Sequence, residues 1–179
     1  MHRRDGRYVV EGMESIHIIP AGEFTPSDVG LQAQSEDFDL WRNIMREYAE
    51  EFLDVEEAYG RGGRTIDYVN QSPFKELNDA RRSGRLEVYV LGIGLDPLDW
   101  KPGIFTICIF ESNAFDGILA KMVAQGKEGT ILVGPRGEGI PFNSEAVRLY
   151  ADNPNTVNAA AVCLKLAWQH RGALGLDCS

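Results

Sequence analysis

Residues 37–54, DFDLWRNIMREYAEEFLD, decide how the rest of the chain reads. Trp41, Ile44, Met45, Tyr48 and Phe52 fall at the i, i+3, i+4, i+7, i+11 spacing of one buried stripe, which predicts a helix. Glu47, Glu50 and Glu51 lie off that stripe, within an arc of about 100° on one side of the helix. Like charges three or four residues apart cost about 0.2–0.5 kcal/mol per pair on a bare helix. A hard divalent cation reverses that cost, because it takes several converging carboxylate oxygens. Arg46 adjoins the cluster and is expected to orient one of its carboxylates. The alternative is an ordinary solvated face on an acidic protein.

Composition narrows the class. At 179 residues, 44% hydrophobic and 25% charged, the chain is long enough to bury the core of one compact domain without staples. A net charge of −9 argues against a sequence-independent grip on nucleic acid, which needs clustered Lys and Arg. An anionic small molecule needs a metal or local arginines to reverse the potential. Cys108, Cys163 and Cys178 form no C-x-x-C pair, and His2, His17 and His170 are scattered, so no zinc spacing exists. Cys108 and Cys163 sit in apolar runs, as core fillers of a cytoplasmic protein do. No apolar stretch is long enough for a membrane span, and no apolar region follows the charged start as a signal peptide requires.

The order of residues within the helix adds a resemblance. Arg46-Glu47-Tyr48-Ala49-Glu50-Glu51 is similar to the R-E-U-x-E-E core of the Nudix box, with U apolar or aromatic. His17-Ile18-Ile19-Pro20-Ala21-Gly22-Glu23-Phe24 resembles the strand and Pro-x-Gly turn that lead into it. The resemblance covers roughly residues 16–54, with three departures. Gly22 lies 24 residues before Arg46, so about ten residues are inserted. Phe38 holds the position eight before Arg46 where the family has its first Glu, with Asp37 and Asp39 on either side and Asp28 six after Gly22. Leu53 replaces the Gly that follows the Glu pair. The resemblance implies an α/β/α sandwich with a mixed sheet. It further implies Mg²⁺ or Mn²⁺ held by Glu47, Glu50 and Glu51, Arg46 holding those carboxylates in place, and hydrolysis of a nucleoside diphosphate linked to another group. The chain is also similar to domains that follow the DNA-binding region of bacterial helix-turn-helix regulators, which implies a non-catalytic Nudix-like ligand-sensing domain of a transcriptional regulator. That is the alternative for this chain.

The remaining stretches are consistent with an α/β class. His2-Arg3-Arg4 resembles the end of a family strand that closes in a basic pair, so the resemblance implies that the opening strands are lacking, through a misassigned start, a partner that supplies the edge or a longer protein; an unpaired edge then predicts a homodimer or an unusual closure. Ser15 to Ile19 reads as a strand, with His17 a half-buried strand residue more than a base. Residues 25–36 carry Pro26 and Gly30 and read as loop. Residues 55–64 read as a glycine loop in which Arg61 and Arg64 are candidates to meet phosphate. Ser72-Pro73 is expected to open a short helix to Arg81, stopped at Gly84. Leu86 to Leu95 and Ile104 to Phe110 read as an antiparallel hairpin whose near-continuous apolarity predicts cover on both faces. Trp100 in its connection is expected to stack a base or shield the core. Later helices are expected from Asn113 (with Phe115, Ile118, Leu119 and Met122 as a core stripe), from Ser144 to Tyr150, and from Thr156 to His170. A strand Thr130 to Val133 leads into a glycine loop where Arg136 is a weak phosphate candidate, since neither G-K-[S/T] nor G-x-G-x-x-G is formed.

Overall fold

The structure, a computed structural model, describes residues 1–4, 15–53, 65–118, 125–126, 129–132 and 139–176. Helices and strands are mixed along the chain: β1 (His2–Arg4), β2 (Ile16–His17), α1 (Leu31–Glu36), α2 (Leu40–Leu53), α3 (Phe74–Arg82), β3 (Leu86–Leu95), β4 (Pro102–Phe110), α4 (Ser112–Ile118), β5 (Gln125–Gly126), β6 (Gly129–Ile131), α5 (Ser144–Ala151) and α6 (Asn158–Gln169). Among the described residues no helix is long and apolar enough to cross a membrane. The chain divides into two compact units, Met1–Ile19 with Val88–Cys108 and Lys127–Ser179, and Pro20–Glu87 with Ile109–Gly126.

In the first unit β1 lies between β2 and β6, antiparallel to both, with His2 opposite His17 on one side and Ile131 on the other. Ile16 is gripped from the far side as well. Its N–H donates to the Asn155 carbonyl at 2.8 Å, and its own carbonyl accepts from Val157 N–H at 3.0 Å. This strand pairing sets the entry to α6, which packs on α5; Val147 and Ala151 of α5 and Ala160, Cys163 and Ala167 of α6 are buried. The cap of α5 is Asn143, whose side chain accepts from Ala146 N–H at 2.9 Å, one residue before the expected Ser144. Burial pushes the Cys163 thiol up to about 11, in keeping with a core filler and not a nucleophile.

The β3–β4 hairpin forms a two-stranded sheet closed by a tight connection, where Asp96 N–H donates to the Lys101 carbonyl at 2.9 Å. A Cβ on Gly92 would stand 3.7 Å from Leu166 of α6, and one on Gly94 would stand 3.0 Å from the Phe105 ring. One hairpin face therefore meets α6. Among the described residues the expected cover on both faces is not met: Ile93, Leu95, Leu98 and Trp100 are exposed. Near-continuous apolarity reports that a face is suited to burial, not that the same chain buries it. Of the two roles expected for Trp100, shielding the core is not met, since the residue is exposed.

In the second unit the predicted stripe of α2 is buried throughout, with Ala49 joining Trp41, Ile44, Met45, Tyr48 and Phe52. Tyr48 stacks on Phe52 at 5.2 Å and meets Phe110 edge-on at 5.6 Å, and Phe110 meets Phe115 at 5.5 Å. Among the described residues Phe74, Met45, Leu77 and Leu86 are the largest wholly buried side chains. Trp41 Nε1 donates to Asn78 Oδ1 at 2.8 Å, and Asn78 Nδ2 donates to the Tyr68 carbonyl at 2.7 Å, which ties α2 to α3. Gly84, at φ +73°, takes the left-handed position that ends α3 as expected. Pro73, and not Ser72, holds the N-cap position of α3, and no side chain caps it. The expected loop 25–36 contains α1, a helix too short and polar to leave a periodic signal. Its α4 counterpart runs Ser112–Ile118, so Phe115 lies within it, while Leu119 and Met122 lie outside the described residues. Tyr8 to Val10, Arg61, Arg64, Val133, Arg136 and Cys178 also lie outside them.

Candidate functional site

Why α2 begins where it does follows from Asp39. Its Oδ1 accepts from the backbone N–H of Trp41 at 2.8 Å and of Arg42 at 3.1 Å, satisfying two of the helix's orphan donors. The carboxylates Glu47, Glu50 and Glu51 then fall half-buried on the later turns.

The turn at Pro20–Glu23 comes down on two of them. Ala21 N–H donates to Glu51 Oε1 at 2.7 Å. Gly22 lies so close to Glu47 that a Cβ built there would stand 1.9 Å from Oε2 and 2.0 Å from the carboxyl carbon. A side chain at this position would displace that carboxylate, the flexible end of Glu47. Asn43 Nδ2 stands 3.4 Å from Glu47 Oε1, a long contact from the preceding turn of the helix. Glu47, Glu51 and the glycine turn are thus brought together across 25–30 residues of sequence, and Glu50 shares their helix.

Arg46 does something other than expected. It is 3% exposed, and its bonds among the described residues run to the insertion and its neighbours, not to a glutamate of α2. Nη1 donates to Tyr68 Oη at 2.9 Å and stands 3.6 Å from Asp37 Oδ1, while Nη2 donates to Asn43 Oδ1 at 3.1 Å and to the Thr25 carbonyl. Tyr68 Oη in turn donates to Asp37 Oδ1 at 2.8 Å, and Ser27 donates to Asp37 Oδ2 through both its hydroxyl and its N–H, the latter at 2.8 Å. The result is a buried, hydrogen-bonded ion pair that ties the inserted segment to α2. Burial, the largest influence on Asp37, opposes its ionisation. The bonds from the Ser27 side chain and backbone and from Tyr68, together with the Arg46 charge, outweigh it and hold the carboxyl below its usual range. Burial pushes the Tyr68 phenol up to about 12, the Asp37 contact adding to it and Arg46 opposing.

Sequence reading missed Asp37 and Tyr68 as partners of Arg46. Asp37 stood out only as a neighbour of the gap in the box, and Tyr68 lies 22 residues from Arg46 with no motif around it. Both aspartates beside Phe38 are already engaged, Asp39 as a cap and Asp37 as the counter-ion. Phe38 itself is exposed and leans on Phe24, ring centroids 5.5 Å apart, at the end of the glycine turn. His17 is a half-buried strand residue of the first unit, its Nδ1 3.2 Å from the Ile18 carbonyl. Arg82 pairs with Asp79 at 2.8 Å and Arg81 lies 5.1 Å over the Trp41 ring, so both arginines are engaged in local contacts.

The donor chemistry of Glu47, Glu50 and Glu51 suits a hard divalent cation, all oxygens and all anionic. Among the described residues no three acidic, histidine or cysteine side chains converge as a ready-made ligand group. Binding therefore requires rotation of glutamate side chains at the helix surface. Comparison with known proteins finds no family model, no curated protein and no solved structure that matches this chain.

Proposed function

We propose that the chain is a Nudix-like, metal-dependent hydrolase of a nucleoside diphosphate-linked substrate, on an α/β/α sandwich of that type. The observation that carries this reading is the glycine turn seated on Glu47 and bonded to Glu51. A turn and an R-E-x-x-E-E helix in contact are what such a site needs to bring bridging phosphates to carboxylate-held metal. Glu47, Glu50 and Glu51 would hold Mg²⁺ or Mn²⁺, which when bound neutralises phosphate charge and lowers the pKa of water. That neutralisation lets a chain of net −9 accept an anion. The exposed Phe24–Phe38 pair supplies an aromatic surface for the base at the edge of the same turn.

The test is a melting panel of the protein with Mg²⁺ or Mn²⁺ and nucleotides, followed by product assays. A divalent ion at a hundredfold excess over Kd should add about 2.7 kcal/mol of stability. Glu50→Gln with Glu51→Gln should abolish that gain, and Glu51→Gln alone should remove release of nucleoside monophosphate with the circular dichroism spectrum unchanged. No shift with any divalent ion and no product from a broad pyrophosphate panel would end the proposal. A second reading, a non-catalytic ligand sensor, is favoured by the engagement of Arg46 with Asp37 and Tyr68 and of Asp39 as the cap of α2. It predicts tight binding of one nucleotide-like ligand without turnover.

A further inference from the structure

The outer side of the β3–β4 hairpin is the largest unexplained feature of the first unit. Side chains alternate along a strand, so with Gly92 and Gly94 turned towards α6 and Phe105, residues Ile93 and Leu95 of β3 and Ile104 of β4 turn the other way. They are 76%, 53% and 39% exposed, and at the tip Leu98 and Trp100 are 81% and 73% exposed. Together they leave roughly 600 Å² of residue surface in water, at the upper end for a monomer's largest apolar patch. A standard interface buries about 800 Å² per partner, a little over half of it non-polar, so this face is large enough for one.

Two further observations bear on what covers it. No Asp, Glu, Lys or Arg occurs from Val88 to Leu95 or from Pro102 to Phe110, in a chain that is 25% charged. Strands meant to stay in water are ordinarily guarded by charges. Trp100 has φ +62°, a left-handed conformation that a bulky residue adopts at a cost and glycine does not. The tip is nevertheless tightly held. Trp100 N–H donates to the Asp96 carbonyl at 2.8 Å, and Asp96 and Asp99 side chains accept from Leu98 and Lys101 N–H at 2.8 and 2.9 Å. A strained residue rigidly presenting an indole to solvent is an anchor in want of a pocket.

We propose that the outer face and tip of this hairpin are the interface of a twofold-symmetric homodimer. The occupant is a second copy because residues 88–95 and 102–110 carry no charge and the tip only Asp96, Asp99 and Lys101, of which Asp99 and Lys101 pair with each other at 3.8 Å. So weakly charged a face does not select a basic or acidic partner, and two chains of net −9 repel one another little there. A twofold axis makes one apolar patch complementary to itself. This inference stands independently of the proposed chemistry.

Sedimentation velocity over a concentration series of the full chain tests it. The parent should sediment at twice the chain mass at high concentration, and Ile93→Lys should be monomeric. Trp100→Gly should raise the dissociation constant about tenfold or more. At a dilution where both are monomeric, its melting temperature should equal or exceed that of the parent, because glycine fits the tip. A parent that is monomeric at every concentration overturns the proposal, whether or not it co-sediments with phosphatidylcholine vesicles. So does a dimer indifferent to both substitutions, or a Trp100→Gly variant that associates normally.

Discussion

Asp37→Asn isolates the buried ion pair from everything else in the second unit. The substitution keeps shape and removes one charge. With its amide oxygen towards Ser27, asparagine retains that N–H donor, and the Tyr68 hydroxyl must then reverse its bond. What it cannot replace is the counter-charge 3.6 Å from Arg46 Nη1. Removing one partner of a buried pair costs about 3–5 kcal/mol. The Thr25 carbonyl and Asn43 Oδ1 still solvate the guanidinium, which places the cost near the lower end, about 3–4 kcal/mol. Against a total stability of about 5–15 kcal/mol for a domain this is a large share, and for a chain of this size it lowers Tm by about 6–16 °C. Urea unfolding followed by circular dichroism, with calorimetry, measures both. A cycle with Arg46→Met should show the two changes to be coupled by at least about 1 kcal/mol, the double variant losing less than the sum. A loss for Asp37→Asn under about 1 kcal/mol, or additive changes, would refute the network as the link between insertion and helix.

The same pair sets a pH dependence with two limbs. Asp37 has a lowered folded pKa, so its stabilisation is present above the ordinary 3.8 and is lost as pH falls through the lower folded value. Tyr68 has a raised one, so its stabilisation is present below the ordinary 10.0 and is lost as pH rises through about 12. Absorbance titration should show one of the six tyrosines ionising late, and Tyr68→Phe should remove that component. Gly22→Ala should cost about 1 kcal/mol or less, because the added Cβ meets only the Glu47 carboxylate, the flexible end of a side chain that can turn away. By displacing that carboxylate it should weaken any divalent-ion stabilisation, read as a smaller melting shift; an alanine variant that responds to the ion like the parent would show that the turn does not bear on Glu47.

Much of α2 is legible in sequence because its information is local. Periodicity at 3.6 residues names the buried stripe, and all five expected side chains are buried. Gly84 as a stop follows similarly from one residue's own chemistry. The placement of Glu47, Glu50 and Glu51 off the stripe is equally a property of helix geometry. The roles of Arg46 and of the turn are not. An arginine beside glutamates reads as their partner when only neighbours in sequence are in view. In the folded unit it turns to Asp37 and Tyr68, because burial leaves a guanidinium no water and it must find acceptors wherever the packing brings them. Likewise Gly22 reads as a turn residue, and only tertiary structure sets its Cα against a carboxylate 25 positions away. The hairpin marks the same boundary. Its apolar strands are plain in sequence, since residue type decides that a face prefers burial. Whether any part of the chain reaches that face is decided by where distant segments pack, and Ile93, Leu98 and Trp100 are left in water.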